Sequence, residues 1–296
     1  MADARVIVVD AKGGAEFESI NDAVKAAVDG DVLQVRSGKY DEVLKVDRAV
    51  MIAADPNAEI GDVLVLGGAV GTANGTVQGI AFQSMVDVRK GHLTLVSCDI
   101  SQGSDGVRVC TGAEATISRC HIHRAIGDRG GDGVYVQPGG KARVEECELD
   151  HHHVNGVHCN GGEVHVVKCN IHDCEFGVYF REHGRGGVEG STIDEIGRIG
   201  VYIIKGSDPA VTNNRVANCK VSGVMVSSGG SGSIKDNSVT GNVRILQGCS
   251  PVLGANTISG RFDNENTAVP AGSGFPPPAA SPISSVDARK QSVAPR

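Results

Sequence analysis

Six segments of the chain share one pattern of apolar and polar positions: a glycine, a valine, a variable residue and a second apolar residue. The six are Gly106–Val109, Gly133–Val136, Gly156–Cys159, Gly177–Phe180, Gly200–Ile203 and Gly223–Val226. Their glycines are 27, 23, 21, 23 and 23 residues apart. Strand alternation sends the valine and the last residue of each segment to one side and the middle residue to the other. One side is then wholly apolar, from Val107/Val109 to Val224/Val226, while the other carries Arg108, Tyr135, His158, Tyr179, Tyr202 and Met225. A second row of landmarks keeps the same period: Cys98, Cys120, Cys147, Cys169, Ser191, Asn214, Asn237 and Asn256, each followed two residues later by Ile, Leu or Val.

A period near 22 with two or three short strands per repeat predicts an all-β fold, a right-handed parallel β-helix. Nine or ten coils at the strand spacing make a rod about 45 Å long. The cysteine row reads as small buried thiols, and the asparagine row as a ladder of side-chain amides. At the front, Ile20, Ala23, Val24, Ala27 and Val28 follow helical spacing. They predict an amphipathic capping helix over about residues 18–29, with Ser19 as N-cap. After Gly260 the period stops, and residues 261–296 hold six of the ten prolines. The expected division is therefore a β-helix over 1–260 and a disordered tail over 261–296.

Composition narrows the function classes. A net charge of −7 gives no basic stripe for nucleic acid, and the absence of Trp excludes a Trp-lined pocket. No apolar run reaches the roughly 18 residues of a membrane span. Nine cysteines without a signal segment suggest a reducing compartment and a cytoplasmic setting.

The segment from Phe17 to Ala53, with its helix, Gly30-Asp31, Gly38-x-Tyr40 and Glu42, resembles the opening of pectin-lyase-like β-helix proteins. With the later repeats the resemblance covers roughly residues 5 to 260 and is nearest to the right-handed β-helix repeat group. That group includes carbohydrate esterases, lyases and epimerases, and the non-catalytic β-helix domains of F-box proteins. The resemblance implies that chemistry, where present, uses one lateral face of the helix. The specific signatures of pectin methylesterases, polygalacturonases and pectate lyases are missing, and the outward stripe reads as lacking an acid.

Three patches stand out as candidate sites. The turn after Cys120 is about five residues longer than its neighbours and forms a lip with Asp128 and Arg129. A column of His123, Asp150 to His153, His172-Asp173 and Asp194-Glu195 has metal-binding or acid–base residue types. Placed on exposed turns, these residues are expected to point apart, so no metal is predicted. The preferred binding face is the outward stripe itself, Tyr135, His158, Tyr179 and Tyr202, with Arg181, Glu182, His183 and Lys205 at the adjoining turn. No catalytic residue and no cofactor is predicted. The expected function is a non-catalytic intracellular scaffold that docks a protein partner, within a cytoskeletal or other assembly. The alternative is a lyase or epimerase acting on a uronate-containing polysaccharide, using His158, Tyr179, Tyr202 and Arg181 near the lip at Asp128 and Arg129, with a Tyr or His taking the proton and a cation neutralising the carboxylate.

Overall fold

The computed structural model of the protein describes residues 4–127 and 130–266. These residues wind into a parallel β-helix of three sheets. The first sheet has 12 strands, from Val6–Val9 to Val252–Leu253. The second has 11, from Gly38–Tyr40 to Thr257–Ile258, and the third has 11, from Leu44–Val46 to Phe262–Asn264. Every strand pair is parallel, and each coil visits the three sheets in turn. Twelve rungs exceed the nine or ten expected, because the coils before residue 90 lack the Gly-Val signature that marks the later ones.

The predicted segregation holds in the third sheet. Val107, Val134, Val157, Val178, Val201 and Val224 stand in register on successive rungs. All are fully buried in one continuous apolar core. The glycine ahead of each valine has a steric cause. A Cβ on Gly177 would lie 2.5 Å from the Gly200 carbonyl oxygen and 2.6 Å from Ile193 Cγ2, and Gly106, Gly156 and Gly200 are equally confined. Here the chain turns in from the second sheet, and two backbones approach too closely for any side chain.

The other landmark row forms a ladder at the corner between the first and second sheets. The Cys98 and Cys120 amides donate to the Sγ of Cys120 and Cys147, each at 3.4 Å. The Cys169 amide donates to Ser191 Oγ at 3.0 Å, and those of Ser191 and Asn214 donate to Asn214 and Asn237 Oδ1, both at 2.9 Å. The residue before each ladder position from Cys98 to Asn237 is left-handed, with φ of 51° at Ser97, 52° at Arg119 and 56° at Asn213. That sharp corner turns the next strand while the ladder side chain satisfies amides the turn would otherwise strand.

The cap helix is shorter than expected, Ile20–Ala26, because Ala27 is already extended at φ −71° and ψ 158°. Ile20, Ala23 and Val24 close the end of the core. Glu42 explains its place in the opening motif: its carboxylate accepts from the Ile20 and Asn21 amides at 2.8 and 2.9 Å, and a negative group there suits the helix dipole. Buried Asp31 accepts from the Arg5 guanidinium at 2.7 Å and the Val28 amide at 2.9 Å. The Arg5 bond, followed by the amide, holds its carboxyl down at about 2. At the far end, pairing continues past Gly260 to Phe262–Asn264. The remainder of the expected tail, residues 267–296, lies outside the described residues.

Candidate functional site

The outward row of the third sheet runs Asp87, Arg108, Tyr135, His158, Tyr179, Tyr202, Met225 and Arg244 on consecutive rungs. The expectation of a stripe without an acid is corrected. Asp87 stands on it, in a Val-Asp-Val strand without the glycine landmark, and pairs with the Arg89 guanidinium at 2.7 Å.

Rung spacing nearly matches ring-stacking distance, so the aromatic residues form a continuous file. Ring centroids are 4.9 Å apart for Tyr135 and His158, 5.2 Å for His158 and Tyr179, and 5.2 Å for Tyr179 and Tyr202. Phe176 stacks on both Tyr179 and Tyr202, and the Arg198 guanidinium lies 4.9 Å over its ring. The row expected from the alternation is thus present, with its ring faces packed on one another.

Behind it stands the last residue of the long turn after Cys120, to which the sequence assigned no role. Asp132 is buried in the turn between the second and third sheets. Its Oδ2 accepts from His158 Nδ1, one rung on, at 2.8 Å, and its Oδ1 accepts from Asn155 Nδ2 at 2.6 Å. An ionised carboxylate only accepts, so Nδ1 carries a proton, and in the neutral ring Nε2 then holds the lone pair. His158 Nε2 is buried between the flanking rings with no hydrogen-bond partner among the described residues. Beside Asp132, Asp105 accepts from the Arg108 guanidinium at 2.7 Å.

The turn residues are brought together along the other edge. Asn160 and Arg181 are in register, and the Asn160 amide donates to the Tyr135 hydroxyl at 3.1 Å, which puts Arg181 beside the file. Glu182 accepts from Arg181 Nη2 at 3.0 Å and also pairs with Lys205; Lys205 first, then Arg181, lowers its carboxyl. His183 lies over Gly206, where its Nδ1 would stand 2.6 Å from an added Cβ. It faces the turn rather than the strip. The lip residues Asp128 and Arg129 lie outside the described residues.

Of the histidine–carboxylate column, His123, Asp150, His172 and Asp194 end strands of the second sheet, whereas His151 to His153, Asp173 and Glu195 lie in the turns that follow. Asp99, His121 and His123 project from the outward face of the second sheet, where Asp99 pairs in register with His121 and His123 with Asp150. Strand pairing makes them converge. His121 Nδ1 lies 3.4 Å from Asp99 Oδ2, His123 Nε2 lies 3.3 Å from Asp99 Oδ1, and the two rings stack at 4.2 Å. His121 Nε2 donates to Asp150 Oδ1 at 2.6 Å, and Asp150 also pairs with His151. Burial pushes the Asp99 carboxyl up, but His123 and His121 outweigh it and hold it below the usual range. Farther along the same face, His172 lies between Asp173 at 2.8 Å and Glu148 at 3.4 Å. Of the column, His123 thus converges with Asp99 and His121, two residues not among the sequence candidates.

Comparison with known proteins gives the fold its relatives. The chain resembles the alginate lyase of Paenibacillus sp. str. FPU-7, with TM-score 0.56 and 14% identity over 88% of this chain and 98% of that one. It also resembles pectate lyase Pel9A, with TM-score 0.53 and 12% identity over 90% of this chain and 82% of that one. No curated protein matches the sequence, so the nearer kinship with F-box β-helix domains gains no support. The expected non-catalytic scaffold is corrected: the chain superposes on polysaccharide lyases over most of their length, and its outward faces carry converging acid–base groups. The leaning against an enzyme, and the cytoplasmic or cytoskeletal setting tied to the scaffold, fall with it. Among the described residues no helix is long and apolar enough to cross a membrane. Residues 105–262 match the model described as "Right handed beta helix region", more than half of the chain, and the protein belongs to that family.

Proposed function

We propose that the protein is a carbohydrate-active enzyme of the lyase or epimerase kind, acting on a uronate-containing polysaccharide along the outward face of the third sheet. The observation that carries this reading is the Asp132–His158 hydrogen bond inside the aromatic file. The stacked file of Tyr135, His158, Tyr179 and Tyr202 presents ring edges and hydroxyls, rather than open ring faces, to a sugar chain. Asp132 fixes His158 in the tautomer whose Nε2 accepts a proton. Arg181 stands beside the file as the cation for the uronate carboxylate.

Lyase and epimerase chemistry share their first step. The proton next to the uronate carboxylate is acidic only once that carboxylate is neutralised, which is the role of Arg181. A sugar lying across the strip parts the Tyr135 and Tyr179 rings, and His158 Nε2 takes that proton. Expulsion of the neighbouring glycosidic oxygen, which takes a proton from water or from the His158 imidazolium as it leaves, then gives an unsaturated sugar, whereas delivery of a proton from water to the opposite face gives the epimer. Carbohydrate, rather than a protein partner, is the ligand of this face.

The test is a panel of uronate polymers, including alginate and pectate, followed for an unsaturated product absorbing in the ultraviolet and for a change in uronate stereochemistry. Either signal, lost in His158→Ala, supports the reading. Neither signal on any uronate polymer overturns it.

A further inference from the structure

On the second sheet, away from the aromatic file, Asp99, His121 and His123 bring three donor atoms within 4.8 Å of one another. The geometry points to a mononuclear site for a divalent first-row transition ion of the zinc type, held by Asp99, His121 Nδ1 and His123 Nε2. This inference stands apart from the reading of the third sheet, and neither fails with the other.

The spacing is the first reason. Ligands at about 2.1 Å from a tetrahedral ion lie about 3.4 Å from each other. His121 Nδ1 stands 3.4 Å from Asp99 Oδ2 and His123 Nε2 stands 3.3 Å from Asp99 Oδ1, long for charge-assisted hydrogen bonds and right for ligands beside a carboxylate that binds through both oxygens.

The proton inventory is the second. His121 Nε2 bonds the Asp150 carboxylate at 2.6 Å, so it carries the hydrogen. In a neutral ring Nδ1 then turns a lone pair on the Asp99 carboxylate, and two acceptors face one another. A cation between them, or a proton on Nδ1, removes that conflict. A histidine whose far nitrogen donates to a carboxylate is also the usual arrangement around a ligated metal, fixing the ring and raising its basicity.

The donor set selects the ion. Two imidazoles and one carboxylate suit zinc, cobalt, nickel or ferrous iron, and ill suit calcium or magnesium, which take oxygen ligands. Three protein ligands on an outward face leave a position open to solvent, as in sites that bind a water or substrate.

The test uses the full chain without an affinity tag, stripped with a chelator and titrated with zinc, with cobalt and with calcium, by calorimetry and by the visible spectrum of cobalt. One equivalent of zinc or cobalt should bind, with cobalt giving tetrahedral-type absorption, while calcium does not compete. His123→Gln and Asp99→Asn should abolish binding, and Asp150→Asn should weaken it about 10- to 100-fold. Circular dichroism checks that each variant is folded; should one fail to fold, the other two still report. No binding by the wild type overturns the site, as does binding that survives both Asp99→Asn and His123→Gln, which would place the ion elsewhere. Equal competition by calcium overturns the assigned ion class.

Discussion

Asp132 and His158 lie on adjacent coils, 26 residues apart, and meet through one hydrogen bond of 2.8 Å to Nδ1. The acid comes from a turn and the imidazole from the strand one rung on, so only coiling brings them together. Asp132→Asn removes the charge that selects the tautomer while keeping the side-chain shape. Activity on the responsive polymer should fall about 10²- to 10⁴-fold, the usual weight of a positioned acid–base group. His158→Ala should fall at least as far, with unchanged circular dichroism. Retained activity in both variants would remove His158 from the chemistry.

His152 predicts a distinct acid sensitivity. It is buried, its Nδ1 accepts from the Ala125 amide at 3.3 Å, and its Nε2 has no partner among the described residues. Burial lowers its pKa to about 4. The unfolded ring titrates near 6.5, so between those values the unfolded state binds the extra proton. Stability from the neutral ring is complete above pH 6.5 and is lost as the pH falls towards 4, by at most about 3 kcal/mol. Denaturant unfolding at pH 7 and pH 4.5 should show wild type losing more than His152→Phe. Parallel losses would mean that the ring is not held neutral.

Gly177→Ala should destabilise the fold by about 1–3 kcal/mol or more, since the added methyl meets a carbonyl oxygen and a core methyl. Gly38→Ala is the control. Its Cβ would touch only Ala11 at 3.4 Å and Tyr40 at 3.8 Å. Comparable melting temperatures for the two variants would contradict the close approach between coils.

Asn214→Ala strands several buried groups at once. Its Oδ1 accepts from the Ser191 amide, and its Nδ2 donates to the Val188 carbonyl at 2.9 Å and to Asn237 Oδ1 at 3.0 Å. Unpaired buried groups cost about 1–3 kcal/mol each, so thermal unfolding should shift clearly downward. Cys120→Ser should cost far less, because a hydroxyl can take over the thiol's contacts with the Cys98 amide and the Ser118 carbonyl.

The fold is legible in the sequence because a β-helix repeats one local pattern. Valine and glycine at fixed offsets reveal both the period and the inward face, and the tyrosine file follows from alternation alone. The early coils escape notice because their strands lack the glycine landmark, as Val86–Val88 shows. Asp132 is illegible as a partner of His158, since a turn residue's direction depends on the path of an irregular loop. The Asp99, His121 and His123 group has a signal in the sequence. These residues fall one or three positions after a ladder residue, on either side of a buried Ile100 or Ile122. That alternation marks a strand of the second sheet with its polar side outward, where a turn was expected.

The central claim is that this face removes the proton next to a uronate carboxylate, and solvent exchange reads that step whether elimination or inversion follows. Alginate and pectate oligomers would be incubated with wild-type protein and with Asp132→Asn in deuterated water and followed by nuclear magnetic resonance. The account predicts that wild type yields deuterium at that carbon or an unsaturated product from it, and that Asp132→Asn yields about a hundredth as much or less. Equal rates for the two proteins, or no reaction of any uronate oligomer with wild type, would contradict it.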